Sequence, residues 1–175
     1  EHEYYTADIS RTIPVNGKFT KTQAQIYQIV LDAQNKAIDA AQPGNTLGDV
    51  HLAAVGEIYN GLKKLRIIKR HFNHISKQYD AVKKFFPHAT SHWLGLDVHD
   101  DGLYSKNKYE TILMPGMVIT VEPGLYFQKN SIIDKKFQGI GIRIEDDILI
   151  TQTGNRNLST QFPREIKEIE KILQK

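Results

Sequence analysis

Cysteine is absent from the 175 residues, so neither a disulfide nor a thiolate zinc site can form, a composition compatible with a reducing compartment. Long hydrophobic runs are missing too. No apolar stretch approaches the ~18 residues a membrane span requires, and no charged-then-apolar leader opens the chain. These absences lead us to expect a soluble, cytoplasmic protein with no membrane partner. A strong charge of either sign is also lacking: the formal net charge of +3 is too small to dictate a partner. The densest basic stretch, Lys63 to His71, has no aromatic stacking surface or nucleic-acid motif beside it. It reads as a solvated helix end and loop, and no nucleic acid is expected. There is no internal repeat, low-complexity segment or linker, and the first residue is Glu1 rather than Met, which reads as a truncation.

What is present is ordinary globular composition, 40% hydrophobic and 25% charged, enough apolar surface for one domain with a real core. After a strand-like opening and a turn, Thr20-Lys21-Thr22-Gln23 fits a capping box, and Ile26, Tyr27, Val30, Ala33, Ala37 and Ile38 recur at helical spacing until Pro43-Gly44. A second box, Thr46 to Asp49, precedes a face of Val50, Ala53, Ala54, Ile58 and Leu62, so a helical pair is predicted. A shorter helix from about Ser76 to Phe85 should stop ahead of Pro87. Beyond residue 110 the pattern turns to short β-rich runs, Val118 to Val121 and Ile142 to Glu145, with a last helix from about Pro163 to Leu173.

The densest chemistry lies between His88 and Asp100, where three histidines and two aspartates fall within thirteen residues around Gly95. On a helix His88 and His92 would share a face, but Pro87 argues against a regular helix. If His92 and His99 serve one site, the chain must turn back between them, and Gly95 is the residue that accepts unusual backbone angles. Asp8, His92, Glu122 and Glu145 are far apart in sequence, each in a segment that reads as a buried or half-buried strand end. Carboxylates outnumber imidazole among them, which favours a hard or borderline divalent ion such as manganese, cobalt, iron or zinc, and carboxylates can bridge two ions. Singly, Asp8 could cap a turn, Glu122 could sit on a strand edge, and Glu145 could pair with Arg143. Arg143 and Glu145, two apart in a strand pattern, should project from one face, where the guanidinium could orient a ligating carboxylate or hold a substrate group.

Asp8-Ile9-Ser10-Arg11-Thr12, the run from His88 to Asp100, Val121-Glu122-Pro123-Gly124 and Gly141-Ile142-Arg143-Ile144-Glu145 resemble, in order and spacing, the Xaa-Pro aminopeptidases, metallopeptidases of family M24. The resemblance covers nearly the whole chain. It implies an α+β pita-bread (creatinase/aminopeptidase) fold incomplete at its N-terminal edge, with residues 1–175 a partial catalytic domain and the family's N-terminal domain absent. It further implies release of an N-terminal residue preceding proline, by attack of a hydroxide bridging two divalent ions, usually manganese. Asp8 and Glu145 would bridge the ions; His92 and Glu122 would complete the shell of the first, and Glu122 would also relay a proton. His88 and His99 would contact the substrate and the developing tetrahedral intermediate, with Arg143 supporting the site. The family's further aspartate ligand, upstream of the one matched by Asp8, falls ahead of Glu1, so the second ion's site is expected to be impaired and this chain weakly active or inactive. Peptides with proline second are the implied partners, and the parent a homo-oligomer. A prolidase, or a non-catalytic binding module of the same fold, are the alternatives.

Overall fold

The structure is a computed structural model that describes residues 2–101, 110–129 and 132–174. Helices dominate the first half and short antiparallel strands the second, as the change in periodicity predicts. Helix α1 spans Lys21–Ala40 and α2 Leu47–Lys64. Both capping boxes close. Thr20 Oγ1 accepts from the Gln23 amide at 3.3 Å while Gln23 Oε1 accepts from the Thr20 amide at 2.8 Å, and Thr46 and Asp49 repeat the exchange at 3.1 and 2.8 Å. Gly44, at φ 91°, takes the turn between the helices. The predicted faces meet: Ile26, Val30, Ala33 and Ala37 of α1 and Val50, Ala54, Ile58 and Leu62 of α2 are fully buried. Each large side chain removed from water there contributes about 1.5–3 kcal/mol. Ile38 and Ala53 are half-buried, at the edge of the stripe. Among the described residues no helix is long and apolar enough to cross a membrane.

Two helix ends differ from the sequence reading. Helix α3 spans Ile75–Val82 and stops short of Phe85, because the Phe85 amide turns back to the Val82 carbonyl at 2.8 Å and so carries Phe85 and Phe86 into the core. Helix α4, Ile166–Leu173, begins after Pro163 rather than at it. The Phe162 and Pro163 carbonyls are both taken by the Arg11 guanidinium, at 2.9 and 3.0 Å, which holds the approach to the helix in a non-helical path.

Strands β1 (Val118–Val121), β2 (Gly124–Tyr126), β3 (Gly141–Arg143) and β4 (Asp146–Ile150) pair antiparallel, β1 with β4 and β2 with β3. Val121 faces Asp146 in one pairing and Gly124 faces Arg143 in the other, so both keep one register and form a single long ribbon. It is interrupted where Glu122 and Pro123 lie opposite Glu145 and Ile144. Proline has no amide hydrogen to give the ladder, and across the gap the Ile144 amide reaches only the Pro123 carbonyl, at 3.5 Å. This corrects the predicted strand Ile142 to Glu145: the ladder breaks after Arg143, and Glu145 stands in the break. Strand β5, Asn155–Asn157, extends β4, and α1 rests against β1, β2 and β3.

The predicted opening strand is replaced by a turn, with His2 bridged to Tyr5, and then an extended segment. Residues 8–12 run antiparallel to 143–147, but side chains make most of the bonds: the Asp147 carboxylate accepts from the Asp8 amide at 3.3 Å, the Ser10 carbonyl accepts from the Glu145 amide at 3.0 Å, and Thr12 Oγ1 bridges the Arg143 amide and carbonyl at 3.0 and 2.9 Å. Residues 90–94 flank the other side, where the Thr90 carbonyl accepts from Glu122, the His92 carbonyl from Thr120, and the Val118 carbonyl receives the Leu94 amide, at 2.8–3.2 Å.

Candidate metal centre

Four extended segments thus lie side by side, in the order 8–12, 143–147, 118–122, 90–94, and each carries one predicted ligand: Asp8, Glu145, Glu122, His92. In a flat sheet, neighbours about 4.8 Å apart would hold the outer two backbones roughly 14 Å apart. Yet Asp8 Oδ2 and His92 Nε2 meet at 3.5 Å, so the sheet curves around the site. The donor atoms of Asp8, His92 and Glu145 all lie within 4.8 Å of one another, and Glu122 Oε1 is 3.6 Å from His92 Nε2.

The tautomer of His92 follows from its partners. Nδ1 is 2.9 Å from the Trp93 carbonyl, which can only accept, so Nδ1 carries a proton and Nε2 is the ring nitrogen turned toward the carboxylates. Glu145 is buried and its Oε2 accepts from Ser10 Oγ at 2.5 Å. Burial, and then repulsion from Glu145 and Asp8 against the pull of Arg143, pushes the Glu122 carboxyl up to about 7. Glu145 also rises to about 7, through burial first and the Asp8 charge, against the Ser10 bond, and Asp147 to about 6 through burial and its acidic neighbours. Acidic groups packed with so little counter-charge, beside an imidazole nitrogen turned toward them, have the donor chemistry of a site for a divalent cation. The residues fit such an ion.

The other predicted residues line a cleft of about 560 Å³ beside this cluster, which holds His88, His92, His99, Glu122 and Arg143 and is walled by α2 at Leu47. A second groove, near Leu65 and Phe137, is as large at about 600 Å³ but is lined by one carboxylate, Asp134, paired with Lys136 at 3.2 Å. Chemistry rather than volume separates them. His88 Nδ1 donates to the Ala89 carbonyl at 2.8 Å, so its Nε2 accepts from the Tyr126 hydroxyl at 2.8 Å, and that hydroxyl accepts from Arg143 Nε at 2.9 Å. Burial, helped by the nearby Arg143 cation and opposed by the Ala89 bond, holds His88 below the usual imidazole range. Arg143 NH1 lies 3.6 Å from Glu122. The turn inferred between His92 and His99 exists: their rings meet edge to face, centroids 4.4 Å apart, with His99 exposed. Gly95 serves it by its small size and not by a left-handed backbone, because a Cβ there would run into the Asp100 carboxylate.

Sequence reasoning passed over Tyr126, Ser10, Arg11 and Asp147. A signal existed for Tyr126: strand alternation puts it on the face of Glu122 and Gly124, and its hydroxyl fills the space a Gly124 side chain would need. No local pattern marks Asp147, whose partner, the Asp8 amide, is 139 residues away.

Residues 1–152 match the model of metallopeptidase family M24. Xaa-Pro aminopeptidase of Escherichia coli (strain K12) is 46% identical over 173 residues, covering 99% of this chain and 39% of that protein, and the Haemophilus influenzae enzyme of the same name is 43% identical, covering 99% and 40%. Among solved structures, zinc-substituted E. coli aminopeptidase P in complex with product superposes with a TM-score of 0.90 at 44% identity, over 98% of this chain and 39% of that one. Pseudomonas aeruginosa aminopeptidase PepP gives 0.91 at 39% identity, over 99% and 39%. The chain spans about two-fifths of the length of the relatives it matches.

Proposed function

Because this chain belongs to metallopeptidase family M24, we propose that it carries the catalytic site of an aminopeptidase that releases the N-terminal residue from peptides with proline in second position. The reading rests on one observation above all: separate segments bring donor atoms of Asp8, His92 and Glu145 within 4.8 Å of one another and set Glu122 3.6 Å from His92, next to a cleft of peptide size. These four side chains are the proposed holders of divalent metal, with manganese as the proposed ion. When bound, the metal supplies Lewis acidity, lowering the pKa of water and polarising the scissile carbonyl.

The rest falls to this chain's own groups. Glu122 takes a proton from the attacking water at its carboxylate and passes it to the departing proline nitrogen. His99 donates toward the carbonyl oxygen, where negative charge develops and a placed donor helps most. His88, kept neutral and oriented by Ala89 and Tyr126, lines the substrate side, and Arg143 holds both Tyr126 and Glu122 in place.

The test is hydrolysis of an Xaa-Pro-Xaa tripeptide by the parent protein with Mn²⁺ present, products read by mass. Release of the first residue, with no cleavage when alanine replaces proline, is expected. Cleavage at another bond, or indifference to proline, would overturn the reading.

A further inference from the structure

Arg11 lies outside the cleft and touches neither the three proposed ligand carboxylates nor the imidazole, yet its guanidinium is fully engaged. NH1 donates to the Ser10 carbonyl at 2.9 Å and to the Glu145 carbonyl at 2.7 Å. NH2 donates to Asp146 Oδ1 at 2.6 Å and to the Phe162 carbonyl at 2.9 Å, and Nε to the Pro163 carbonyl at 3.0 Å. One planar fork therefore ties three parts of the chain together: its own segment, the break that holds Glu145, and the turn before α4.

Neutralising Asp146 does not account for this arrangement. The Asp146 carboxylate is fully buried but also accepts from Asn157 Nδ2 at 2.9 Å and lies 3.5 Å from Arg164 NH1. The bonds that only Arg11 supplies go to backbone carbonyls, and NH1 spans the two segments that present Asp8 and Glu145. Ladder bonding is weakest there, because side chains have replaced part of it and Pro123 interrupts the ribbon on the other side. The Ser10 hydroxyl that orients the Glu145 carboxylate sits on the residue whose carbonyl Arg11 holds.

We propose that Arg11 is a positioning residue of the metal centre, a guanidinium clamp that fixes the separation of the Asp8 and Glu145 segments and so the spacing of their carboxylates. The inference rests on the metal-binding reading above. Lysine cannot replace the clamp, since a single ammonium can pair with Asp146 but cannot span this set of carbonyls in a plane.

The experiment compares the chain with Arg11→Lys, which keeps the charge, and with Ile58→Val, which weakens the helical core far from the site. Two readouts are taken: Mn²⁺ affinity by calorimetry, and hydrogen exchange of the Glu145 amide in metal-free protein. Arg11→Lys should bind Mn²⁺ about 10-fold or more weakly, in the range of losses when groups that orient metal ligands are changed, and its Glu145 amide should exchange faster than its α1 amides do. Ile58→Val should keep full Mn²⁺ affinity. Unchanged affinity in Arg11→Lys, or an equal loss in Ile58→Val, overturns the clamp. Should the unaltered chain bind no Mn²⁺, the metallopeptidase reading fails, and amide exchange alone then decides the clamp: faster Glu145 exchange in Arg11→Lys upholds it, unchanged exchange refutes it.

Discussion

Stripping metal from this chain should leave a fold that loses stability as pH rises from about 5 to about 7.5, the opposite of what salt-bridged carboxylates do. The folded protein holds Glu122 and Glu145 up near 7, mainly by burial, whereas in the unfolded chain they return to about 4.5. Both folded values are raised, so the folded state binds protons that the unfolded state has released. The resulting stability is complete below the unfolded pKa and is lost as pH climbs through the folded one. For Glu122 the displacement from 4.5 to about 7 corresponds to about 3 kcal/mol at 1.36 kcal/mol per pH unit. Glu145 titrates together with its acidic neighbours, so the pair adds less than twice that. Asp147 has the same sign. His88 has the opposite sign, since its lowered folded pKa makes stability rise through the imidazole range, but it is one group against three.

Urea unfolding in chelator at the two pH values reads this directly, and a fall of at least about 2 kcal/mol is expected. Saturating Mn²⁺ should reverse the trend, because ligands must be deprotonated to bind it. In chelator, Glu122→Gln should be more stable than the parent near pH 7.5 and lose that advantage near pH 5. A metal-free stability that is flat or rises with pH, or a Glu122→Gln variant no more stable at the higher pH, would refute the crowded-carboxylate description.

In the Mn²⁺-loaded parent protein, Glu122→Gln should cut turnover of an Xaa-Pro tripeptide by at least about 100-fold, the lower end of general acid-base contributions; unaltered turnover would remove Glu122 from the proton relay. His92→Ala should lower metal content, whereas His99→Ala should keep the metal and slow turnover by ~10²–10³, the usual loss of one oxyanion donor. Metal analysis beside steady-state kinetics separates them, and an exchange of the two behaviours would reverse the assigned roles. Away from the site, Thr20→Ala should cost about 1 kcal/mol in urea unfolding by opening the capping box of α1; no loss would mean that tertiary packing alone sets that helix start.

The helical half was legible because its signals are local. A capping box is four residues long, and an apolar stripe such as Ile26, Val30, Ala33 and Ala37 repeats within one helix. What escaped was set by distant parts of the chain. The start of α4 is governed by Arg11, about 150 residues earlier. Glu145 looked like a strand residue, and only the ribbon's register reveals that it stands opposite Glu122 beside Pro123. The opening segment has strand composition and strand path, but Asp147 and Thr12 side chains replace ladder bonds, so no regular strand results. At the site, the order and spacing of four motifs that resemble the Xaa-Pro aminopeptidases marked Asp8, His92, Glu122 and Glu145, where residue types alone left each carboxylate a simpler use. The groups that orient them, Ser10, Arg11 and Tyr126, belong to residue types common on any surface, and their roles became visible only through distances.

The claim on which everything else depends is that these four side chains enclose divalent metal. Anomalous scattering from a crystal of this chain soaked in Mn²⁺ tests it most directly. The expected result is a peak within bonding distance of His92 Nε2 and the carboxylates of Asp8, Glu122 and Glu145; a fully occupied peak elsewhere, or none at saturating Mn²⁺, would contradict it.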